Sequence, residues 1–424
     1  MQSIYTAITL ETKLSSKTKY NEMYKSKKDM SINLKWQDLD SLSPVVREKT
    51  NEAIKTFVQE HPDGIIDHDP EWLAAKSGKN KSFKVFIIFS EKGKIAGYAP
   101  FFVHPSSLSF EVFGISLFTY RIQRYCITAC PLMHPGYHST VLLEKLLLTI
   151  RDSLGRREAI FGLGIELQSD FGRTLLDSHK LKKNYLVFPS GRTYHRRYII
   201  LPKDSETYIC SLGKTNRKRM KQAQRRLKMN NELSSSTFIY TDPEKVPELL
   251  ELLEKVSRKT YQHNLLNLGV KNDIETQRTL TLAAENGWLR SYVLICNDEP
   301  IAFKHGYLYK DIFFSVSVGY DPKWSNWSAG KIIHMDAIHD LIQIGVKKFD
   351  FMYGDSEYKK SLSNSSRIEQ NFYIIPRHTP ISQIAYALRL LNATANLMGD
   401  LLERYKLKSR IRRFLRNRAT KRKN

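Results

Sequence analysis

The succession strand, turn, strand, helix, strand occurs twice in this chain, about 200 residues apart, and it narrows the possible folds more than any other feature. In the first copy Lys84–Phe89 is an apolar, β-prone run, Glu91-Lys92-Gly93-Lys94 makes a turn, and Ile95–Val103 returns. In the second, Leu289–Ile295 is followed by the turn Asn297-Asp298-Glu299-Pro300 and the return Ile301–Tyr309. Ile95-Ala96 and Ile301-Ala302 hold the same place in each hairpin. Further on, Val141–Leu154 reads as an amphipathic helix before a strand at Ala159–Leu163, and Lys331–Ile344 stands in the same relation to Phe349–Tyr353. The pattern predicts a duplicated domain of mixed α/β (α+β) class. The expected limits are 30–200 and 201–380, with the first copy degenerate.

The segment between the copies is helical by the same criteria. Asp242-Pro243 is an N-cap and first-turn pair, and Val246, Leu249, Leu250, Leu253 and Val256 follow at helical spacing. Ile274–Glu285 is a second helix, stopped by Gly287. Ile312, Phe314, Val316 and Val318 alternate with Phe313, Ser315 and Ser317, the period of a half-buried strand. The second copy thus reads helix, helix, three strands, helix, strand, with a parallel last crossover.

Charge is concentrated rather than spread. Of the net +24, residues 214–228 carry +8 and residues 403–424 carry +10, which leaves +6 for everything else. Self-repulsion in the 214–228 helix favours an anionic partner, although a solvated face accounts for it too. That segment contains no aromatic residue, which argues against base stacking and sequence-specific nucleic-acid reading. Met220, Ala223 and Leu227 give it one apolar face. Ile384, Leu388, Leu391, Ala395, Met398, Leu402 and Tyr405 make a four-three stripe in a basic helical tail, 381–424. The stripe suits docking on the body, coiled-coil pairing, or an anionic membrane surface met by residues 403–424. Cys126, Cys130, Cys210 and Cys296 are too scattered for a disulfide framework, and the histidines lack metal-ligand spacing, so no metal is assigned. Residues 1–29 read as a flexible extension without the apolar core of a secretory signal. The expected location is cytoplasmic, peripheral to the inner face of a membrane if the tail binds lipid.

Two segments carry candidate chemistry. From Val318 to Gly330 a strand ends, a loop with Pro322, Trp324 and Trp327 follows, and Ser328-Ala329-Gly330 opens a helix. Helix N-termini present unpaired N–H groups to phosphates, Gly330 permits close approach, and Lys331 adds a cation. A Ser N-cap and a loop glycine explain the same residues structurally. From Phe349 to Lys360 a strand ends at Gly354-Asp355, with Glu357, Tyr358 and Lys359 beyond it. A carboxylate and a phenol there are plausible proton carriers for amide formation from a thioester. A polar loop after a strand is the structural alternative.

Taken together, Gly319-Tyr320-Asp321-Pro322, Ser328-Ala329-Gly330, Phe349-Asp350-Phe351, Gly354-Asp355 and Tyr358-Lys359 resemble the CelD-like branch of the GNAT superfamily, associated with polysaccharide and cell-envelope synthesis in bacteria. The resemblance extends over roughly residues 30–375. It implies two tandem GNAT-like domains, with acetyl-CoA or another acyl-CoA lying between the strands at 312–318 and 349–353. Ser328, Ala329, Gly330, Lys331 and Val318 would bind the donor, Ala329 replacing a common Pro. Tyr358 would be the acid and Asp355 the base, with Lys359, Tyr320 and Asp350 toward an amine acceptor such as an amino sugar or glycan precursor. Two alternatives remain open at this point. One is a FemAB-like transferase of the same tandem architecture that uses aminoacyl-tRNA. The other is a non-catalytic scaffold of envelope polysaccharide synthesis.

Overall fold

The structure is a computed structural model that describes residues 32–37, 43–78, 81–90, 93–112, 115–229, 234–260 and 269–391. The expected extension at 1–29 and the basic end at 403–424 lie outside these residues, as does the side chain of Leu227.

The first copy runs β1 (Ile32–Gln37), α1 (Pro44–Glu60), α2 (Pro70–Ala75), β2 (Ser82–Ser90), β3 (Ile95–Val112), β4 (Ile115–Ile127) and β5 (Leu132–Met133). It continues through α3 (Ser139–Ser153), β6 (Glu158–Glu166), α4 (Asp170–Asp177), α5 (His179–Asn184) and β7 (Tyr185–Ile200). Two connecting helices follow, α6 (Ser205–Ser211) and α7 (Lys214–Met229). The second copy is β8 (Ser235–Tyr240), α8 (Val246–Lys259), α9 (Ile274–Glu285), β9 (Leu289–Cys296), β10 (Glu299–Tyr309) and β11 (Ile312–Tyr320). It ends with α10 (Ala329–Gln343), β12 (Lys348–Asp350), α11 (Glu357–Leu362) and β13 (Ser365–Pro376).

The described strands make one 13-stranded sheet in the order β1-β2-β3-β4-β6-β13-β7-β12-β11-β10-β9-β8, with β5 on β3. Replacing each strand by its counterpart in the other copy reverses this order and leaves it unchanged. The two parallel contacts, β4 with β6 and β11 with β12, are counterparts. At the centre the copies exchange their last strands: β13 lies antiparallel on β6, β7 lies antiparallel on β12, and the two pair with each other. Each copy's sheet is therefore completed by the other.

Burial follows from this sheet being covered on both faces. On one face α1 and α2 of the first copy and α8 and α9 of the second share a single apolar core, which includes Ile54, Trp72, Val85, Leu253 and Val293. Trp72 packs edge-on against Trp288 and Tyr307. Lys310 donates to the carbonyls of Val58 and His61 at the end of α1. On the other face each copy has its own core, under α3 and under α10. The stripe Val246, Leu249, Leu250, Leu253 and Val256 is fully buried, each such side chain contributing about 1.5–3 kcal/mol over exposure.

Some local expectations change. Asp242 makes no side-chain cap and precedes a short 3-10 turn before α8. Phe313 and Phe314 are both buried, one in each facing core, whereas Val316 is 49% exposed. Two-sided cover removes the alternation at the start of β11, and loss of the neighbouring strand exposes its end. In the C-terminal helix, 380–391, Ile381, Ala385 and Leu388 are buried with Ile384 packed beside them, while Leu391 is exposed; Ala395, Met398, Leu402 and Tyr405 of the four-three stripe lie outside the described residues.

Candidate active site

The parallel strands β11 and β12 pair only through Ile312, Phe313 and Phe314 against Lys348, Phe349 and Asp350. β11 then continues to Tyr320, held on its other edge by β10, with Lys304 opposite Val318. β12 stops. Met352 takes a left-handed backbone, φ 59°, while its N–H donates to Asp350 Oδ1. The strand predicted for 349–353 is thus cut short because the chain turns out of the sheet, and a gap opens toward the carboxyl ends. In the first copy β4 pairs with β6 through Ile127, its last residue, so no part of β4 extends beyond the contact.

The start of α10 lies at the open end of this gap. Asp321 is buried, accepts from Lys323 N–H and pairs with Lys259 at 2.8 Å, which anchors the loop after β11. Ser328 then takes φ 58° and makes no side-chain cap, so α10 begins without a hydroxyl over its first amides. The N–H groups of Ala329 and Gly330 have no intrahelical acceptor by geometry, whereas that of Lys331 donates to Ser328 O at 2.8 Å. A Cβ on Gly330 would lie 3.3 Å from the Tyr320 ring, so glycine keeps this approach open. The basic helix α7 packs on α10, and burial first and the Arg219 charge second lower the pKa of Lys331. These features fit a phosphate-bearing donor. At the corresponding start of α3, Ser139 donates at 2.6 Å to the Asp170 carboxylate, which also pairs with Arg173 at 2.7 Å, so this helix start is faced by an ion pair.

Behind the gap is a polar group that sequence reasoning missed. Lys304 on β10 is fully buried, and its Nζ lies 3.5 Å from the Tyr358 hydroxyl and 5.2 Å from the Phe349 ring centroid. Burial alone lowers the Lys304 pKa to about 7 and raises that of Tyr358. Tyr358 is 37% exposed yet reaches Lys304 from α11, across the parted strands. His334, one turn beyond Gly330, is buried against Phe349, Phe351 and Tyr358. The Tyr208 hydroxyl donates to Leu362 O at 2.9 Å, so it accepts from His334 Nε2–H at 3.0 Å. That leaves His334 Nδ1 as a bare acceptor without a partner among the described residues. Burial first, and the Lys304 charge second, hold His334 neutral. A lone lysine in the apolar run Ile301–Tyr309 was the available signal for Lys304.

The other predicted residues separate into two groups. Val318 and Tyr320 line the free end of β11, and Tyr320 is 43% exposed beside Gly330. Asp355 is held bidentate by Arg197 at 3.0 and 3.1 Å, a bond that lowers its carboxyl pKa and weakens it as a base. Lys359 donates to the carbonyls of Tyr353 and Gly354, fixing the turn after β12. Asp350 is buried against Arg196 at 2.9 and 3.1 Å. Burial opposes its charge, but Arg196 outweighs it and lowers the pKa. In these positions Asp350 is tied to β7 and Lys359 to the turn after β12.

Residues 214–360 match the acetyltransferase (GNAT) domain family. The crystal structure of FemX is similar over 79% of this chain and 98% of its own, at 12% identity and a TM-score of 0.54. A conserved protein of unknown function from Bacteroides thetaiotaomicron VPI-5482 covers 81% of this chain and 100% of its own, at 13% identity and a TM-score of 0.49. A tandem GNAT protein from the clavulanic acid biosynthesis pathway covers 82% and 98%, at 9% identity and a TM-score of 0.42. No curated protein matches the chain in sequence.

Proposed function

We propose that this chain, whose residues 214–360 match the acetyltransferase (GNAT) domain family, is a GNAT-type acyltransferase that moves an acyl group from a CoA thioester to an amine at the gap between β11 and β12. The observation that carries this reading is the parting of those strands after three paired residues, with the uncapped start of α10 at the open end and Tyr358 reaching across. The bound donor would supply an activated acyl carbonyl. Backbone N–H groups of Ala329 and Gly330, with Lys331 and Arg219, would hold its phosphates; Ser328 would shape the turn and Val318 would lie along the arm. Tyr358 is placed to protonate the leaving group, while positioning supplies most of the acceleration. We assign Asp355 to orienting the 354–357 turn through Arg197, and leave the attacking amine to lose its proton to water or to Lys304.

The first copy, 30–200, serves in this reading as a degenerate partner that completes the sheet of the second, 201–380. An amino sugar or envelope-glycan precursor is the acceptor class, following the CelD-like resemblance, with the tail at 403–424 bringing the enzyme to anionic lipid. No helix among the described residues is long and apolar enough to cross a membrane.

Aminoacyl-tRNA is the second reading, favoured by the placement of Arg219 of the basic α7 beside Lys331. Thermal shift and calorimetric titration with acetyl-CoA, free CoA and aminoacylated tRNA separate the two. Saturable binding of the CoA species, lost in Gly330→Val, supports the first; binding of tRNA alone replaces it with the second. Tyr358→Phe should lower turnover of the productive donor about 100-fold with little change in its affinity. Parental turnover in this variant would remove Tyr358 from the mechanism.

A further inference from the structure

Lys304 occupies a position that packing does not explain. It is a fully buried amine with three protons to donate, and among the described residues the Tyr358 hydroxyl is its one recorded hydrogen-bond partner. A buried amine with so little compensation is costly. Leu or Met would fill the same place beside Phe349 without that cost.

The groups around it define what it can exchange with. From α10 the neighbour is neutral His334, whose Nε2–H is committed to Tyr208. From α6 it is Tyr208, whose proton is committed to Leu362 O. From α11 it is Tyr358, whose hydroxyl proton has no acceptor recorded among the described residues. No carboxylate enters this set, and none contributes to the Lys304 shift, which is due to burial alone. Of the neighbours, Tyr358 alone both touches Lys304 and reaches the gap. A phenol whose pKa is raised by burial is a poor proton donor unless its oxygen is resupplied as it gives the proton up.

We propose that Lys304 is the proton source behind Tyr358: as the acyl–sulfur bond breaks, Tyr358 passes its proton to the departing thiolate and takes one from the Lys304 ammonium. This rests on the CoA-thioester reading above. The carbon–nitrogen bond forms as the carbon–sulfur bond breaks. The thiolate leaves as thiol with the Tyr358 proton, Tyr358 is restored from Lys304, and neutral Lys304 recovers a proton from the attacking nitrogen through water. Protons balance over one turnover, and no phenolate accumulates. Lys304 acts through Tyr358 and does not touch the substrate.

The product complex gives a readout that needs neither acceptor nor turnover. In it the free thiol of CoA faces the same pair; above about pH 7 Lys304 is neutral and takes the thiol proton through Tyr358, and the ammonium so formed stabilises the thiolate. Thiolate absorbance of CoA bound to the full chain is titrated against pH, with desulfo-CoA subtracting the protein's own ionisations. The bound thiol should ionise about one pH unit or more below its value in free CoA, as thiols beside cations do. Lys304→Met and Tyr358→Phe should each return it to the free value while acetyl-CoA affinity stays within about threefold of the parent. The second variant keeps the ring and removes only a hydroxyl from a residue that is 37% exposed, so the test survives if the first fails to fold. Tight CoA binding with an unshifted thiol in the parent overturns the role of Lys304 and leaves the donor reading standing. Failure of CoA, desulfo-CoA and acetyl-CoA alike to bind overturns the donor reading, and this proposal with it.

Discussion

At the level of single residues, Lys304 makes stability depend on pH in a direction opposite to that of a lysine held in an ion pair. Burial lowers its folded pKa from 10.5 to about 7. Between those values the unfolded chain binds a proton that the folded chain does not, so stability rises with pH across that window. Below about pH 7 the ammonium is carried by both states, and its burial cost is fully present. Lys304→Met should therefore be more stable than the parent at pH 7, with the advantage shrinking toward pH 10. Urea midpoints at pH 7, 8 and 9 measure this. A gap between parent and variant that stays constant over that range would mean that Lys304 is solvated as an ordinary surface lysine. The same residue scale shows why Asp355 was a reasonable but weaker candidate. Its place after β12 is visible in the sequence, while its bidentate partner Arg197 lies 158 positions away.

At the level of elements, the gap depends on how β12 is stopped. Arg196 on β7 holds Asp350 and lies 3.7 Å from Glu369 on β13, and Arg367 ties Glu369 to Glu166 on β6. Burial opposes the Arg196 charge, but Asp350 and Glu369 outweigh it and raise its pKa. Removing one member leaves a buried charge without its partner, so Asp350→Ala should cost about 3–5 kcal/mol, read from denaturant unfolding. A cost below about 1 kcal/mol would show that water replaces the carboxylate. Gly330→Val works on the other wall. Its side chain would crowd Tyr320 at the helix start, and CoA affinity should fall at least tenfold with little loss in melting temperature. Unchanged affinity would detach α10 from the donor site.

Such elements were largely legible in the sequence. The α8 stripe, the hairpins β2–β3 and β9–β10, and the helix–strand order around α10 are local periodicities, and the structure keeps them. The shortening of β12 was not legible, because the turn at Met352 is fixed by Asp350, and Asp350 is held by Arg196, 154 positions earlier. The histidines lack metal-ligand spacing along the sequence, whereas the environment of His334 is set by Tyr208, 126 positions away. Spacing along one helix reports neighbours on that helix and is silent about partners brought by another.

At the level of the molecule, the duplication is not two beads on a string. The exchange of β7 and β13 means that cutting the chain at residue 200 separates β6 from β13 and β12 from β7. It also divides the shared core, in which Trp72 of α2 packs on Trp288 and Tyr307 of the second copy. A fragment of residues 30–200 would expose the free edge of β6 together with apolar side chains from one face, the combination that drives edge-to-edge association. We expect residues 30–200 and 201–380 each to be insoluble or molten when produced alone. Co-expression should give a one-to-one complex whose heat unfolding is a single transition. A monomeric 30–200 fragment with its own cooperative melt would show that the exchanged strand is dispensable. The first copy would then be an independent domain, and its presence beside the second would need an explanation other than sheet completion. Under the reading proposed above, in which the first copy is degenerate, the same dependence explains how a copy whose parallel strands stay paired, and whose α3 start faces the Asp170 carboxylate, can persist. Its β6 receives β13, and its β7 supplies the carbonyl of Arg197 that holds Phe351 where β12 ends and the gap begins.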